Sequence, residues 1–330
     1  MAVSSLTHLH DDRPHVDVAT LGASGARVSR VVLGVSGWGG SVDAERGAEV
    51  VDTYRDAGGF TLEVGDTDGG VAEELLGEIV GGRHARDEVF LIGRSGRGSH
   101  SVPVPGSSGD TSRRALMAGL DASLARLGTE HLDLWLVDGF DGVTPSAEVA
   151  ETMEWALTSG RATYVGVGDV PAWRAVDLSH ELATRRIRLA AHATEYSLLE
   201  RSADTDVVEA ARTRGHGVLG GSALAGGALT GKYRHGTPAD SRRAAGVVPL
   251  QPRHFGASAR SVVESLATAA EGLGVHPSEL ALAWQLRQEG LDALMVGART
   301  PAQMRVLLRA GQLVVPDEIL AVLDEVSRTR

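Results

Sequence analysis

Short apolar segments alternate with helical stretches along almost the whole of this 330-residue chain. Eight of the segments have the length and composition of buried strands, and each gap between them has room for a helix. Such alternation is typical of βα units, in which helices join parallel strands. Eight units in succession predict an α/β fold, a closed (β/α)8 TIM barrel. The predicted strands are Val31–Val35, Phe60–Glu63, Val89–Arg94, Leu132–Asp138, Tyr164–Gly168, Leu189–Ala193, Gly217–Gly221 and Ala293–Val296.

The helix between the third and fourth predicted strands has the clearest pattern. Asp110 or Thr111 is expected to cap its start, and Gly128 is expected to end it. Its apolar face consists of Leu116, Leu120, Leu124 and Leu127. Two longer loops, 96–109 and 234–258, follow barrel strands, so we expect them at the carboxyl-terminal mouth, where such barrels keep their active sites. They either cover a ligand or are only flexible.

The segment before the first barrel strand predicts a β-hairpin. Val16–Thr20 and Arg27–Ser29 flank the turn Leu21–Gly25, and this hairpin is expected to close the barrel floor. The start of the chain is polar and rich in histidine, which predicts a flexible tail over residues 1–17. With no repeat and no linker visible, residues 18–330 are expected to form a single barrel domain.

Composition excludes several classes of protein. The net charge of −11 argues against a nucleic-acid partner, which would require a basic face. No run of about 20 apolar residues is present, so we predict no membrane span, and the start lacks the apolar core of a signal peptide. The chain has no cysteine, which excludes disulfides and thiolate chemistry. We expect a cytoplasmic protein that acts on a small molecule; its oligomeric state cannot be read from the sequence.

Several short motifs, in order over roughly residues 20 to 310, resemble the aldo-keto reductase family. They are Asp56–Gly59, Glu73–Gly77, Ser159–Arg161, Gly166–Asp169, Glu195–Glu200, Ser222–Gly227, Leu229–Tyr233 and Gly297–Thr300. The resemblance implies a barrel that binds NADP and reduces carbonyls with an Asp, Tyr, Lys, His tetrad. In that tetrad, lysine and aspartate lower the pKa of the tyrosine, which protonates the carbonyl oxygen.

The tetrad positions are all altered in this chain, which therefore resembles a divergent member of the family. The matching residues are Glu63, Asp68, Arg94 and Asp138; the loop after the second strand is one residue shorter than in the family, so Thr67 is the alternative to Asp68 at the tyrosine position. The only lysine, Lys232, lies in a different motif, and no tyrosine falls near the tyrosine position. Arginine stays protonated and is a poor proton carrier. We expect an ion pair between Glu63 and Arg94.

Asp68 and Asp138 are expected to bring two carboxylates toward one pocket. Crowded carboxylates raise one another's pKa, so the pair can act as general acid and general base. The alternative is a dead site whose acids are simply solvated. A divalent metal held by Glu63, Asp68, Asp138 and Asp169 is a further alternative, but the chain has no ligand-spacing motif, so no metal is predicted.

The resemblance divides the cofactor site into a retained half and an eroded half. Its implied cofactor-binding residues are Asp169, Ser222, Leu224, Lys232, Arg242, Gly297, Arg299 and Gln303. In the nicotinamide half, the residue matching the stacking aromatic is Gly221, and at the adenine end Val306 and Leu307 replace polar residues. We therefore predict that NADP binding is weakened or lost. The pocket holds NADP loosely, or it takes another phosphorylated group, or its phosphate residues are structural relics.

These observations give three hypotheses for function. The leading one is a non-redox enzyme, a lyase, dehydratase, cyclase or isomerase, that needs no cofactor and acts on a carbonyl-bearing or polyhydroxylated molecule. The second is an NADP-dependent carbonyl oxidoreductase with a rebuilt catalytic site, in which a protonated aspartate replaces the phenol. The third is a non-catalytic ligand-binding pseudoenzyme.

Overall fold

A computed structural model describes residues 14–40, 42–65, 68–84, 86–97, 109–238 and 252–328. Eight parallel strands close into a barrel in which each strand pairs with the next along the chain and the last pairs with the first, and helices connect them, so the predicted TIM barrel is confirmed. All eight predicted strands are present, with ends shifted by two residues at most. The barrel strands are β3 (Val31–Gly34), β4 (Thr61–Gly65), β5 (Phe90–Ser95), β6 (Leu132–Asp138), β7 (Ala162–Gly168), β8 (Ala191–Glu195), β9 (Gly217–Gly221) and β10 (Ala293–Val296).

Helices surround the barrel in the part of the chain that the structure describes. They are α1 (Ala44–Asp56), α2 (Val71–Arg83), α3 (Arg113–Leu127), α4 (Ser146–Thr158), α5 (Ala172–Thr184), α6 (Val207–Arg214), α7 (Ala257–Leu273), α8 (Pro277–Gln285), α9 (Pro301–Leu308) and α10 (Asp317–Arg328). Helix α3 ends at Gly128, as predicted, with φ of 63°. The predicted caps Asp110 and Thr111 are wrong. Ser112 caps α3 by accepting from the Ala115 amide, and Asp110 instead accepts from the Ser112 amide.

The predicted hairpin at the barrel floor is confirmed. Strands β1 (Val18–Thr20) and β2 (Arg27–Ser29) pair antiparallel. Leu21 and Val28 from this hairpin are fully buried in the cluster that fills the barrel interior, so the hairpin closes the amino-terminal end of the barrel. Residues 1–13 of the predicted tail lie outside the described residues. Its described end is packed, since Val16 is buried and its amide donates to Ala57 O.

The alternation of side chains along each strand decides which residues reach the barrel interior. Ile92 of β5 with Leu134 and Leu136 of β6 belong to the interior cluster, whereas Leu62 and Val64 of β4 pack against the helices. The interior is therefore apolar up to its carboxyl-terminal end, where the inward-facing positions of the strands are occupied by charged residues. Among the described residues, none of the helices has the length and apolarity needed to cross a membrane.

Candidate functional site

Three predicted site residues occupy inward-facing positions at the carboxyl ends of neighbouring strands. Glu63 lies between Leu62 and Val64, which face outward, so its own side chain faces the barrel interior. Arg94 and Asp138 each lie two residues after an inward-facing residue, Ile92 and Leu136, and therefore face inward too. Strands β4, β5 and β6 are adjacent in the barrel, so the three side chains meet at its mouth. The structure therefore brings Glu63, Arg94 and Asp138 together at one place.

Arg94 is the centre of this cluster and contacts three carboxylates. Its Nη2 lies 2.6 Å from Asp138 Oδ1 and 3.3 Å from Asp169 Oδ2. Its Nη1 lies 3.5 Å from Glu63 Oε1. The expected pair with Glu63 is present, but the shorter bond is to Asp138. Because Arg94 contacts carboxylates through both terminal nitrogens, it holds the three acids in one cluster.

Asp169 follows β7 in a strained backbone conformation. Its φ is +49°, which is uncommon for a residue other than glycine and costs about 1–3 kcal/mol. Its amide donates to Ala193 O, and the Asp169 side chain is 34% exposed. Oδ2 faces the two arginines, whereas no described residue donates to Oδ1. Asp169 therefore presents an available carboxylate oxygen at the mouth.

Arg97 belongs to the cluster and was missed in the sequence. It begins the loop after β5, with Nε 3.6 Å from Asp138 Oδ2 and Nη1 3.4 Å from Asp169 Oδ2. Its position in the sequence could have pointed to this role, because Arg97 lies three residues after Arg94 and near the start of a long loop that is expected at the mouth. Residues 98–108 of that loop lie outside the described part of the chain.

Burial and mutual repulsion raise the pKa of two of these carboxyl groups. Burial is the largest cause for Glu63, which is 5% exposed, and Asp138 raises its pKa further while Arg94 opposes the shift. Burial also raises the pKa of Asp169; Arg94 opposes this, and Asp138 adds to it. Burial works against the charge of Arg94, but the three carboxylates outweigh it and raise the Arg94 pKa. Glu63 and Asp169 therefore hold a proton more readily than ordinary acids.

A glycine lies directly beneath the shortest ion pair. Gly168 is in register with Asp138, and a Cβ placed on it would lie 2.1 Å from Asp138 Oδ1 and 2.8 Å from Arg94 Nη2. Any larger residue at this position must displace the pair.

We expect Gly168→Ala to destabilise the fold by about 1–3 kcal/mol, the usual cost of overpacking a well-packed site. The measurement is denaturant unfolding with Gly81→Ala as the control. Gly81 lies in helix α2 with nothing near its Cβ position, so alanine there should stabilise by about 0.5–1 kcal/mol. Equal, small effects of both substitutions would show that the pair does not depend on Gly168.

One cavity of about 830 Å³ joins the cluster to the predicted cofactor residues. Lys232 and Arg299 lie at its far end. The predicted residues that line it are Glu63, Arg94, Asp138, Asp169, Ser222, Leu224, Lys232, Gly297, Arg299 and Gln303. Arg242 lies outside the described residues. Asp68 starts the turn Asp68–Gly70, and nothing is described of its side chain.

The far end of the cavity has the features of a phosphate site. A Cβ on Gly227 would lie 3.0 Å from Lys232 Cε and 3.1 Å from Lys232 Nζ, so the bare glycine lets the lysine approach the loop. Helix α9 begins after Thr300, whose hydroxyl accepts from the Gln303 amide at 3.2 Å. A helix start beside two cations favours an anion.

No phenol reaches this site. All four tyrosines lie in the described part of the chain, and none lines the cavity. Tyr54 donates to Val31 O and Tyr196 to Asp204, both away from the mouth. Among the residues that the structure describes, no group of three or more acids and histidines is arranged to hold a metal ion. The groups available for chemistry are therefore the carboxylates and the two arginines.

Barrel, floor hairpin and cavity together define a TIM-barrel protein with a ligand-sized cavity at its mouth, and comparison with known proteins identifies its family. The model of the Aldo/keto reductase family matches residues 30–328. The chain belongs to this family.

Relatives cover nearly the whole chain. "Uncharacterized oxidoreductase YrpG" of Bacillus subtilis (strain 168) is 31% identical over 314 residues, which are 93% of this chain and 94% of that protein. "L-glyceraldehyde 3-phosphate reductase" of Escherichia coli O157:H7 is 31% identical over 315 residues, 92% of this chain and 90% of that protein. "Putative voltage-gated potassium channel subunit beta" of Schizosaccharomyces pombe is 27% identical over 336 residues, 98% of this chain and 96% of that protein.

The leading hypothesis of non-redox chemistry is wrong. Relatives about 30% identical over nine-tenths of the chain are named reductases and oxidoreductases, which points to redox chemistry. The error came from treating the exchange of ionisable residues as a change of reaction. The structure shows that Arg94 pairs with the new carboxylates, and a proton-exchanging carboxyl suits hydride chemistry as well as it suits a lyase.

Proposed function

We propose that the protein is an NADP-dependent oxidoreductase that interconverts a carbonyl and an alcohol on a small molecule. One observation carries this proposal: a single cavity contains both the carboxylate cluster and the phosphate-type end. Its volume, about 830 Å³, is within the usual range for ligand sites of about 300–1,000 Å³. A long ligand with an anionic end can therefore reach the cluster with its other end.

The residues present fit a dinucleotide phosphate. Lys232 and Arg299 supply two cations, and Ser222 and Gln303 supply polar groups along the same wall. The backbone at Gly226 and Gly227 adopts φ of 63° and 94°, which gives a compact turn without side chains over the cavity. Lys232, Arg299, Ser222 and Gln303 are therefore the residues proposed to hold the cofactor.

The bound cofactor supplies hydride exchange with the reacting carbon. The protein has to exchange the proton on oxygen, and we assign this role to Asp169, because its side chain lines the cavity and no described residue donates to its Oδ1. Burial raises the pKa of the Asp169 carboxyl, so this group holds a proton more readily than an ordinary aspartic acid. Arg94 and Arg97 hold Oδ2 and fix the orientation of the group. Asp169 was predicted as a cofactor residue, and its geometry favours the proton-exchange role instead.

Asp169→Asn is expected to lower turnover by about 10²–10⁴-fold, because the amide cannot exchange the proton. Asparagine tolerates positive φ, so the backbone is preserved. The assay is substrate-dependent change in NADPH absorbance with a panel of aldehydes, ketones and alcohols. Asp121→Asn is the matched control; it removes an exposed carboxylate that pairs with Arg161 and should keep full activity.

Two outcomes would contradict the proposal. No turnover with any member of the panel would leave the chain without redox activity. Turnover unaffected by Asp169→Asn would place the proton-exchanging group elsewhere. The absence of a tyrosine from the cavity favours one second candidate, a non-catalytic ligand-binding protein. It predicts dinucleotide binding without any turnover.

A further inference from the structure

Three of the side chains at the far end of the cavity present hydrogen-bond donors only. Lys232 and Arg299 have no acceptor atoms. The Arg299 amide donates to Gln303 Oε1 at 2.9 Å, so the side chain of Gln303 offers the ligand its NH₂ group. The acids among the described residues that line the cavity all belong to the cluster at the mouth. These side chains therefore suit a ligand group that accepts several hydrogen bonds.

His276 lines the same cavity and is not among the residues predicted from the sequence. It directly precedes α8 and caps the start of that helix. A Cβ on Gly231 would lie 3.7 Å from Pro277 Cγ, so the loop that carries Lys232 contacts the start of α8. His276 is therefore at the same end of the cavity as Lys232.

The helix cap fixes the tautomer of His276. The Ser278 amide donates to His276 Nδ1 at 3.2 Å, and the Ser278 hydroxyl lies 2.7 Å from the same nitrogen. A backbone amide can only donate, so Nδ1 carries no proton and the neutral ring holds its proton on Nε2. Burial lowers the pKa of His276; Glu279 opposes this shift and Arg309 adds to it. No described residue bonds to Nε2, so its N–H is available to a ligand.

Resting on the function proposed above, we propose that His276 is a further cofactor-binding residue, whose Nε2–H donates to a phosphate oxygen of the dinucleotide. A phosphate presents several charged acceptor oxygens, which match the donors of Lys232, Arg299 and Gln303. The diphosphate bridge and the phosphate monoester of NADP share this chemistry. His276 adds one hydrogen bond to either of them, in a direction that the cap of α8 sets in advance.

The test is calorimetric titration of the full chain with NADPH and with NADH at low salt and one pH. His276→Asn keeps the cap of α8, because asparagine caps helices well, but its shorter side chain loses the donor at Nε2. We expect the dissociation constant of NADPH to rise about tenfold, the scale of one hydrogen bond to a charged group. A rise with NADPH alone would place the bond on the phosphate monoester, which NADH lacks, and a rise with both would place it on the diphosphate. His180→Asn, at an exposed position on α5, is the matched control and should bind as the natural chain does.

A second variant, His276→Gln, separates the cap from the donor. Glutamine is not among the residues that cap helices well, but its amide nitrogen can reach the place of Nε2. The midpoint of urea unfolding should therefore fall in this variant, while the affinity for NADPH stays close to that of the natural chain. In His276→Asn the midpoint should stay and the affinity should fall.

The outcomes separate this inference from the proposed function. Unchanged affinity for both dinucleotides in His276→Asn would overturn the inference, and so would affinity that is kept in the asparagine variant and lost in the glutamine variant. Substrate-dependent oxidation of NADPH by the natural chain alongside either result would leave the proposed function standing. No binding of NADPH to the natural chain would overturn both.

Discussion

Replacing Arg94 with methionine is expected to destabilise the protein by about 3–5 kcal/mol at neutral pH. Arg94 pairs with three carboxylates, two of which, Glu63 and Asp138, are almost completely buried. Breaking a buried pair by removing one partner costs about that amount, since uncompensated charge is left in a poorly solvated site. Methionine keeps much of the side-chain volume, so most of the loss should come from charge.

The measurement is urea unfolding at neutral and at acidic pH. The cost of Arg94→Met should fall as the pH is lowered, because protonation removes the negative charges that Arg94 balanced. Arg94→Lys restores a charge but cannot bond all three carboxylates, so it should recover part of the stability. Arg212→Met, in an exposed pair with Glu209, should change stability by about 0.5 kcal/mol or less. A cost below about 1 kcal/mol for Arg94→Met would show that the carboxylates are not held by this arginine.

The fold could be predicted because its signals are local and repeated. Most of the strands are short segments in which apolar residues predominate, as is typical of parallel strands that are buried on both faces. The floor hairpin was marked by the turn at Leu21–Gly25. The prediction of the α3 cap was wrong because Asp110, Thr111 and Ser112 are all residues that cap helices well. Which of them does so depends on the backbone conformation before the helix.

The candidate site was predicted only in part. Strand ends placed Glu63, Arg94 and Asp138 at one mouth, because strand order and side-chain alternation require it. Arg97 depends on the conformation of the loop that carries it, which no periodic pattern encodes. The role of Asp169 depends on a positive φ and on which oxygen stays available, and both are properties of the folded backbone. The prediction of the reaction class was wrong for another reason: residue types indicate which groups can exchange protons, but they do not define the reaction in which the proton is exchanged.

Acid is expected to unfold the protein through two histidines outside the candidate site. His192 lies on the outward face of β8 and His216 lies directly before β9, at 0% and 3% exposure, and their rings are 6.0 Å apart. Burial is the main cause that lowers both pKa values to about 4. His192 Nε2 lies 3.1 Å from Val170 O, which fits a neutral ring donating to that carbonyl.

These lowered pKa values make the folded protein less stable in acid. Between pH about 6.5 and 4, the unfolded chain binds protons on both histidines and the folded chain does not, so stability falls as the pH falls through this window. The stabilising contribution is fully present above the unfolded pKa. This contribution is lost once the pH has fallen to the pKa of the folded state, and the loss in unfolding free energy is about 3 kcal/mol for each ring.

The test compares unfolding free energies from pH 7 to 4 for the natural chain and for His192→Gln combined with His216→Leu. Glutamine keeps a donor for Val170 O, and neither replacement titrates. The double variant should lose several kcal/mol less over this range, and the difference between the two curves cancels the carboxylates that both share. His180→Gln, at an exposed position on α5, is the control and should follow the natural chain. Parallel curves for the double variant and the natural chain would show that these histidines do not set acid stability.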